Sequence, residues 1–303
     1  MPSLTSARYG KDNVRVFKTD RDAKTGIHTV TEMTVCCLLE GDIETSYTRA
    51  NNNVVVATDS MKNTIFIFAK QHPVDPPEQF AAILGDHFIQ TYPHIHVANI
   101  DVTTHRWNRI ALDGKEHPHS FVKDGNETRV TKARISRKDG ITIQSGIKGL
   151  TVLKSTGSAF HSFVRDEYTT LPETWDRILS TEVDAIWEWK TFATLDAVKS
   201  SVSKFGNAWQ VARDITLRRF AQENSASVQA TMYNMSEDIL AAVPDVEHVL
   251  YSLPNKHYFE LDLKWHKGLK NLGKDATIYV PQTNPNGLIT CTVSRSSGRT
   301  SRL

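Results

Sequence analysis

The sequence predicts an α+β fold of antiparallel strands and paired helices, arranged as two similar halves. Runs that read as strands and helices occur in the order strand pair, helix pair, strand pair, and this order occurs twice. A faint echo supports the duplication, since segments 105–107 (HRW) and 264–266 (KWH) each close a long predicted strand. We therefore expect one module at residues 1–139, a second at 140–295 and a flexible tail at 296–303.

The strands are read from alternating or β-rich runs, and the helices from apolar residues at helical spacing. In the first half the predicted strands lie near 12–18, 28–41, 52–57, 94–112 and 119–137, and the helices near 60–70 and 76–91. In the second half the predicted strands lie near 141–154, 177–190, 246–264 and 276–294, and the helices near 205–222 and 228–242. Each helix pair thus lies between strands.

Composition and charge indicate an ordinary globular protein. The 303 residues with 39% hydrophobic content can fill a substantial core. The formal charge of +2 gives no electrostatic case for binding nucleic acid or an anionic membrane. No apolar stretch approaches the roughly 20 residues that span a bilayer, and the polar start lacks the apolar region of a signal peptide.

The three cysteines are interpreted as small core residues. Cys36 and Cys37 lie side by side in an apolar run, where neighbouring side chains of a strand point to opposite faces. Together with Cys291 they form no disulfide framework, so we expect a reducing, intracellular compartment.

The last three residues, Ser301, Arg302 and Leu303, are a variant of the Ser-Lys-Leu peroxisomal address. They end a stretch without apolar periodicity, which favours a readable terminus over a chance tripeptide. We expect recognition by a peroxisomal import receptor and a peroxisomal location.

A hydroxyl and a carboxylate follow an apolar run that predicts a buried strand at 54–57. Helical spacing begins directly afterwards, which places Thr58 and Asp59 at a strand-to-helix junction. One interpretation is capping, in which Asp59 or Ser60 accepts hydrogen bonds from the first-turn amides. The other is that these amides face a bound anion, with the Thr58 hydroxyl beside it. The residues alone leave both open.

A second polar group occurs in the segment 251–263. Strand alternation puts Asn255, His257, Phe259 and Leu261 on one face, so an amide and an imidazole share it. A satisfied core histidine is the commoner outcome of such a pattern.

A third candidate is the start of the helix near 228. Ser227 is the predicted cap, with Val228 and Gln229 in the first turn, so free amides again lie beside a polar side chain. A well-capped amphipathic helix is the simpler interpretation.

Metal and nucleotide motifs are weak or missing. His94 with His96, and His117 with His119, have the spacing that places two imidazoles on one strand face, but no cluster of further ligands completes either pair. Glycine-rich phosphate loops and the nucleophile motif of hydrolases do not occur.

Five stretches together make the chain similar to the urate oxidase (uricase) family, in its fungal form, over nearly the whole length. They are ARYGKDNVRV from residue 7, VATDSMKNT from 56, RDEYTTL from 165, SASVQATMY from 225 and LPNKHYF from 253. The resemblance implies tandem tunnelling-fold modules, with antiparallel sheets and paired helices, which assemble as four chains into a barrel or tunnel. It also implies oxidation of urate by O2 and water to 5-hydroxyisourate and hydrogen peroxide, with no metal or organic cofactor.

The resemblance also assigns site residues. The catalytic residues it implies are Lys11, Thr58 and His257. The substrate-binding residues it implies are Thr58, Asp59, Phe160, Arg177, Val228, Gln229 and, at the oxygen site, Asn255. It further implies that the first-half residues of one chain meet second-half residues of a neighbour, so each site is shared.

The physical chemistry of these residue types suits the substrate. Urate is a flat anion, so Phe160 can stack on its face while Arg177 and Gln229 bind its edge. Lys11 is the candidate base, with Thr58 and His257 relaying the proton. Two rivals stay open: a metal-dependent tunnelling-fold enzyme acting on a pterin or purine, and a non-catalytic purine-binding assembly protein.

Overall fold

The computed structural model describes residues 3–123, 125–282 and 284–295. Its strands are β1 (Tyr9–Arg21), β2 (His28–Gly41), β3 (Ile95–His105), β4 (Asn108–Leu112), β5 (Lys115–Val122), β6 (Thr128–Ser136), β7 (Gly140–Lys154), β8 (Leu179–Trp189), β9 (Val246–Lys256), β10 (Tyr258–Glu260), β11 (Tyr279–Pro281) and β12 (Gly287–Ser294). Its α-helices are α1 (Glu44–Thr48), α2 (Thr58–Gln71), α3 (Pro77–Thr91), α4 (Leu195–Lys199), α5 (Val202–Gln222) and α6 (Val228–Ala242). Short 3-10 helices lie at Asn52–Val54 and Gly273–Asp275.

Eight strands form one antiparallel sheet in the order β1-β2-β3-β6-β7-β8-β9-β12. The hairpin between β6 and β7 joins its two halves, and β4 with β5 and β10 with β11 form separate ribbons. Gly140 opens β7 at φ +81, where a Cβ atom would lie 2.7 Å from the carbonyl oxygen of Phe192. The hairpin therefore requires glycine at this position. The sheet runs on without a break at this hairpin, and the division into two modules remains a prediction.

The helices cover one face of the sheet and the core lies between the two layers. Helices α2, α3, α5 and α6 contact one another in that order, and all four pack on strands of the sheet. Strand β8 shows how the sequence creates this layer, since Val183, Ala185, Trp187 and Trp189 alternate along it and are at most 1% exposed. This two-layer, antiparallel α+β architecture is the predicted fold class.

The other face of the sheet is polar. Side chains of Asp101, Lys132, Arg134 and Gln144 line an open cavity there, together with Cys36. Burial raises the pKa of the Cys36 thiol to about 12, and a hydrogen bond with Asp12 adds to the shift. All three cysteines are free thiols, of which Cys37 is buried and the other two are half-buried.

One predicted strand is wrong. Residues 52–57 form a 3-10 turn and an irregular segment, because the Asn51 side chain accepts the amide of Asn53 (3.0 Å) and starts a turn. The amide of Val56 then donates to the Tyr9 hydroxyl (2.6 Å) instead of to a strand. The apolar run is thus a connection that ties the start of α2 to β1.

The four longest predicted strands are each interrupted. The stretch 94–112, for example, divides into β3 and β4 at Arg106 and Trp107, whose side chains donate to Glu127 and Glu32. Within the described part of the chain, no helix is both long and apolar enough to cross a membrane.

Candidate active site

The first cluster of predicted site residues lies where β1 meets α2. Lys11 borders a β-bulge, since it pairs with Cys37 whereas the next pair is Val14 with Val35. Asp12 and Asn13 of β1 thus lie opposite the single residue Cys36 of β2. Asn13 adopts a left-handed φ of 57° in this bulge. Bulges of this kind re-aim side chains and are frequent beside active sites.

Thr58 and Asp59 occupy the first turn of α2, as the sequence predicted. The capping interpretation is wrong, because the N-cap residue is Ala57 and, within the described residues, neither Asp59 nor Ser60 accepts a first-turn amide. The Asp59 carboxylate instead accepts from Lys62 Nζ (2.5 Å) and Asn63 Nδ2 (3.0 Å). These two contacts, Lys62 first, hold the pKa of Asp59 below its usual value, and Lys11 adds a smaller electrostatic contribution. Lys11 therefore lies close to a helix end with free amides.

The second cluster begins with Phe160 and Arg177. The guanidinium carbon of Arg177 lies 5.2 Å from the centre of the Phe160 ring. Phe163 packs parallel to Phe160 with ring centres 4.9 Å apart. Backbone hydrogen bonds between Phe160 and Thr174 (2.8 and 3.0 Å), and from the Arg177 amide to the Ser158 carbonyl (2.9 Å), fix the two residues in one unit.

The same unit holds the start of α6. Ser225 donates its amide to the Gly157 carbonyl (3.0 Å) and accepts the Ala159 amide (2.8 Å). Two residues later, the Ser227 hydroxyl accepts the Ala230 amide (3.2 Å), so the predicted cap is confirmed. The first turn of α6, Val228–Gln229, is thereby placed beside the Phe160 and Arg177 segment, with further amides free for a ligand.

Asn255 and His257 complete the second cluster at the end of β9. Asn255 pairs with Thr181 of β8. Because β8 begins at Leu179, two residues after Arg177, this pairing brings Asn255 close to Arg177. The predicted continuous strand stops at Lys256, and His257 lies between β9 and β10 with its ring parallel to that of Phe259 (centres 5.8 Å apart). The imidazole is half-buried and has no hydrogen-bond partner within the described residues, unlike a satisfied core histidine.

The electrostatics of this cluster disfavour a second cation. Burial lowers the pKa of His257, and the nearby positive charge of Arg177 lowers it further. Burial also lowers the pKa of Arg177 itself, and its Nε is a buried donor without a partner in the described part of the protein. Since buried donors are nearly always paired in native proteins, this nitrogen marks a position where a ligand acceptor fits.

One chain does not bring the two clusters together. Five strands separate β1 from β9 in the sheet order, so six spacings of about 4.8 Å put them roughly 29 Å apart along the sheet. Lys11, Thr58 and Asp59 therefore form one group, and the remaining predicted residues form another.

Sequence reasoning missed three polar residues beside the second cluster. The hydroxyls of Ser158 and Thr181 are buried without a partner in the described residues, and each residue is only 1% exposed. Asp176 accepts hydrogen bonds from Thr156 and Gly157 next to Arg177. No local pattern could have found them, because each is brought to the cluster by a contact between distant parts of the chain: Thr181 pairs with Asn255, and Ser158 and Asp176 lie where residues 156–158 meet residues 176–177.

The His-x-His pairs have local partners. His94 Nε2 lies 3.0 Å from the carbonyl oxygen of Val54, and His96 Nε2 lies 3.0 Å from Asp42 Oδ2. His117 and His119 pack edge to face with ring centres 4.5 Å apart. In residues 3–123, 125–282 and 284–295, no group of three or more His, Cys, Asp or Glu side chains is placed to hold a metal ion. The metal-dependent rival therefore lacks a ligand set there.

Comparison with known proteins agrees with this reading of the fold. A sequence model of the uricase family matches residues 7–134 and 143–290. Uricases of Emericella nidulans and Aspergillus flavus are 65% and 62% identical to the chain; each alignment covers 98% of the chain, with 99% and 98% of the respective relative. The crystal structure of uricase from Arthrobacter globiformis superposes with a TM-score of 0.84 at 36% identity, covering 99% of this chain and 97% of that one. The chain belongs to the uricase family.

Proposed function

We propose that the chain oxidises urate with O2 and water to 5-hydroxyisourate and hydrogen peroxide, without a metal or organic cofactor. Family membership supports the reaction, and one structural observation supports the site: Arg177 Nε, beside the Phe160 ring, is a buried donor that has no partner among the described residues. A flat anion satisfies both groups at once, because it offers an acceptor edge and an aromatic face.

Urate recognition uses the second cluster. Phe163 takes one face of Phe160, so urate stacks on the other face or displaces Phe163. Arg177 supplies a charge-assisted donor to the urate edge, and Gln229 supplies both a donor and an acceptor. The free amides of the first turn of α6 favour the anionic form of the ligand.

Proton transfer uses Lys11, Thr58 and His257. The lowered pKa of His257 keeps its imidazole neutral near pH 7, so it can accept a proton that the Thr58 hydroxyl passes on. Lys11 acts as the base that starts this relay, and Asn255 holds O2 or water over the ring. An electron-rich urate anion then supplies the electrons for O2 reduction.

The complete site forms between chains of a homotetramer. Within one chain the two clusters are separated along the sheet, and β1 and β12 each have one paired neighbour in the described sheet. Open edges are paired when several sheets close into a barrel. In this arrangement Lys11, Thr58 and Asp59 of one chain face Phe160, Arg177, Val228 and Gln229 of another.

The test of the reaction is oxygen uptake and peroxide release by the purified protein given urate, followed together with the loss of urate absorbance. The assay is repeated after exhaustive chelation and metal analysis. We expect equal consumption of urate and O2 and unchanged turnover after chelation. A stoichiometric metal whose removal abolishes turnover would support the metal-dependent rival, and urate binding without turnover would support the non-catalytic one.

Peroxisomal import through Ser301, Arg302 and Leu303 is part of the proposal; these residues lie outside the described part of the chain. A peroxide product fits that compartment. A fluorescent protein fused in front of residues 290–303 should enter peroxisomes, whereas the same fusion without the last three residues should not. Equal distribution of the two fusions would contradict the assignment.

A further inference from the structure

Asp176 is the hydrogen-bonding centre of the second cluster, because its carboxylate accepts hydrogen bonds from the segments that carry the predicted substrate contacts. Its Oδ2 accepts the Thr156 hydroxyl (2.6 Å) and its Oδ1 accepts the Gly157 amide (2.8 Å). Its carbonyl oxygen accepts the Thr174 hydroxyl (2.8 Å). Asp176 thus joins the chain after β7 to the chain before β8.

The donors around the carboxylate favour its charged form. The Thr156 hydroxyl contributes most to lowering the pKa of Asp176, and the amides of Gly157, Ser158 and Arg177 add to this effect. A carboxylate has acceptor capacity for several such donors, whereas a neutral side chain of the same shape has less.

The segment that Asp176 holds is the one that places α6. Gly157 adopts a φ of +76°, and its carbonyl accepts the Ser225 amide two residues before the cap of α6. The Arg177 amide binds the carbonyl of Ser158 in the same turn. The separation between the Arg177 guanidinium and the first turn of α6 therefore depends on the turn that the Asp176 carboxylate fixes.

We propose that Asp176 is a positioning residue for urate, which sets Arg177 and the start of α6 at the spacing that the two edges of the ligand require. The inference rests on the proposed function. It assigns Asp176 to binding rather than to proton transfer, because its contacts among the described residues lie in the second cluster and not at Lys11 or Thr58.

The chain offers a matched control in Asp166. Its Oδ1 also accepts one backbone amide, from Tyr168 (3.0 Å), and one threonine hydroxyl, from Thr169 (2.8 Å). These donors belong to an exposed loop that carries none of the predicted substrate contacts. Asp166→Ala therefore removes the same two types of hydrogen bond from a local turn, without touching the segment that holds Arg177.

The experiment measures KM and kcat for urate, and thermal unfolding, in Asp176→Ala, Asp176→Asn and Asp166→Ala. We expect Asp176→Ala to raise KM roughly 10-fold with kcat within about 3-fold of wild type. Asp176→Asn should show a smaller rise, because one acceptor oxygen remains. Asp166→Ala should leave both constants unchanged. If Asp176→Ala does not fold, Thr156→Val, which removes one donor, gives the same test on a smaller scale.

A double-mutant cycle separates positioning from a general structural role. Asp176→Asn should be non-additive in KM with Arg177→Lys, which lies in the same unit, and additive with Lys11→Met in the other cluster. Equal KM values in the Asp176 variants and Asp166→Ala, or a loss of kcat at constant KM, would overturn the inference alone. A wild-type protein that does not oxidise urate would overturn the proposed function, and the inference with it.

Discussion

Both clusters of predicted site residues surround the amino end of a helix, but the chain builds the two ends differently. At α6, Ser227 accepts a first-turn amide, and Ser225 is tied to the preceding turn by two backbone hydrogen bonds. At α2, no side chain of the described residues caps the helix, and the first-turn carboxylate of Asp59 pairs with Lys62. The α6 end is thus braced, that is, fixed by hydrogen bonds within its own chain, whereas the α2 end is open, with its first-turn amides free to bind a ligand.

This difference matches the two proposed roles of the site, ligand binding and proton transfer, except that His257 lies in the second cluster and is proposed to take part in proton transfer. The second cluster suits ligand binding, because its geometry is fixed before the ligand arrives and Arg177 Nε is a buried donor with no partner in the described part of the chain. The open helix end lies beside Lys11 and suits proton transfer, because Lys11 and Thr58 can act on a ligand that the second cluster of another chain holds. The predictions below test this division of binding from proton transfer.

The largest expected effect comes from the open cluster. Lys11→Met or Thr58→Ala should lower kcat by roughly 10²- to 10⁴-fold, the range for losing a positioned acid–base group, while urate affinity changes much less. Steady-state kinetics and direct urate binding measure the two quantities. Equal losses in kcat and affinity would show that the open cluster also binds, and would break the division.

Mixing inactive variants tests whether the clusters come from different chains. Thr58→Ala and Arg177→Ala proteins, combined under conditions that allow subunit exchange, should regain activity, because some interfaces then contain both native clusters. With random mixing in a symmetric oligomer, about a quarter of the sites should be native. Each variant alone, taken through the same exchange procedure, is the control. A mixture as inactive as its components would place the whole site within one chain.

Arg177→Ala should lower the affinity for urate by a larger factor than it lowers kcat. A charge-assisted hydrogen bond contributes roughly 1.5 to 3 kcal/mol, which corresponds to roughly a 10- to 100-fold loss of affinity. Calorimetric titration with urate under anaerobic conditions measures this directly. Arg165→Ala is the matched control, because Arg165 lies over Phe163 in the exposed loop. Unchanged urate affinity in Arg177→Ala would contradict the proposed hydrogen bond between Arg177 and the urate edge.

Sequence periodicity predicted the layers of this fold well, because strands such as β8 alternate cleanly between a buried and a polar face. It failed at residues 52–57, where a short apolar run looks the same whether it is a strand or a connection. The deciding contact, from the Val56 amide to Tyr9, joins residues far apart in the chain. Long-range contacts of this kind leave no local signal.

The predicted site residues show the same limit. Ser227 could be identified as a cap from its neighbours, because capping is a contact within one turn. The grouping of Phe160, Arg177 and the start of α6 could not, since it depends on the pairing of the 157–159 turn with Ser225. The family resemblance supplied the residues, and the structure shows which of them share a cluster within the chain.

The two helix ends should also differ in their contribution to stability. Ser227→Ala removes a capping hydrogen bond and should cost about 1 kcal/mol in the free energy of unfolding. Ser60→Ala is the matched change in the first turn of α2, where no cap exists, and should stay within about 0.5 kcal/mol. Chemical denaturation of the two variants measures both values. A comparable cost at Ser60 would mean that the α2 end is braced after all.

The finest test concerns the charge on His257. Arg177 lowers the pKa of this imidazole, though less than burial does. Arg177→Ala should therefore raise the pKa of His257 while leaving it below the ordinary value of 6.5, because burial remains. A depressed pKa means that the folded state binds fewer protons than the unfolded one, so this stabilising contribution is present above about pH 6.5 and is lost as the pH falls through the folded pKa. The variant should therefore lose less of this stability as the pH falls over that window.

NMR titration with labelled histidine measures the pKa shift. The His257 signal is assigned by comparison with His257→Gln, and Arg165→Ala is the control. An unchanged pKa in Arg177→Ala would mean that Arg177 does not act on the imidazole, and the electrostatic link within the binding cluster would have to be abandoned.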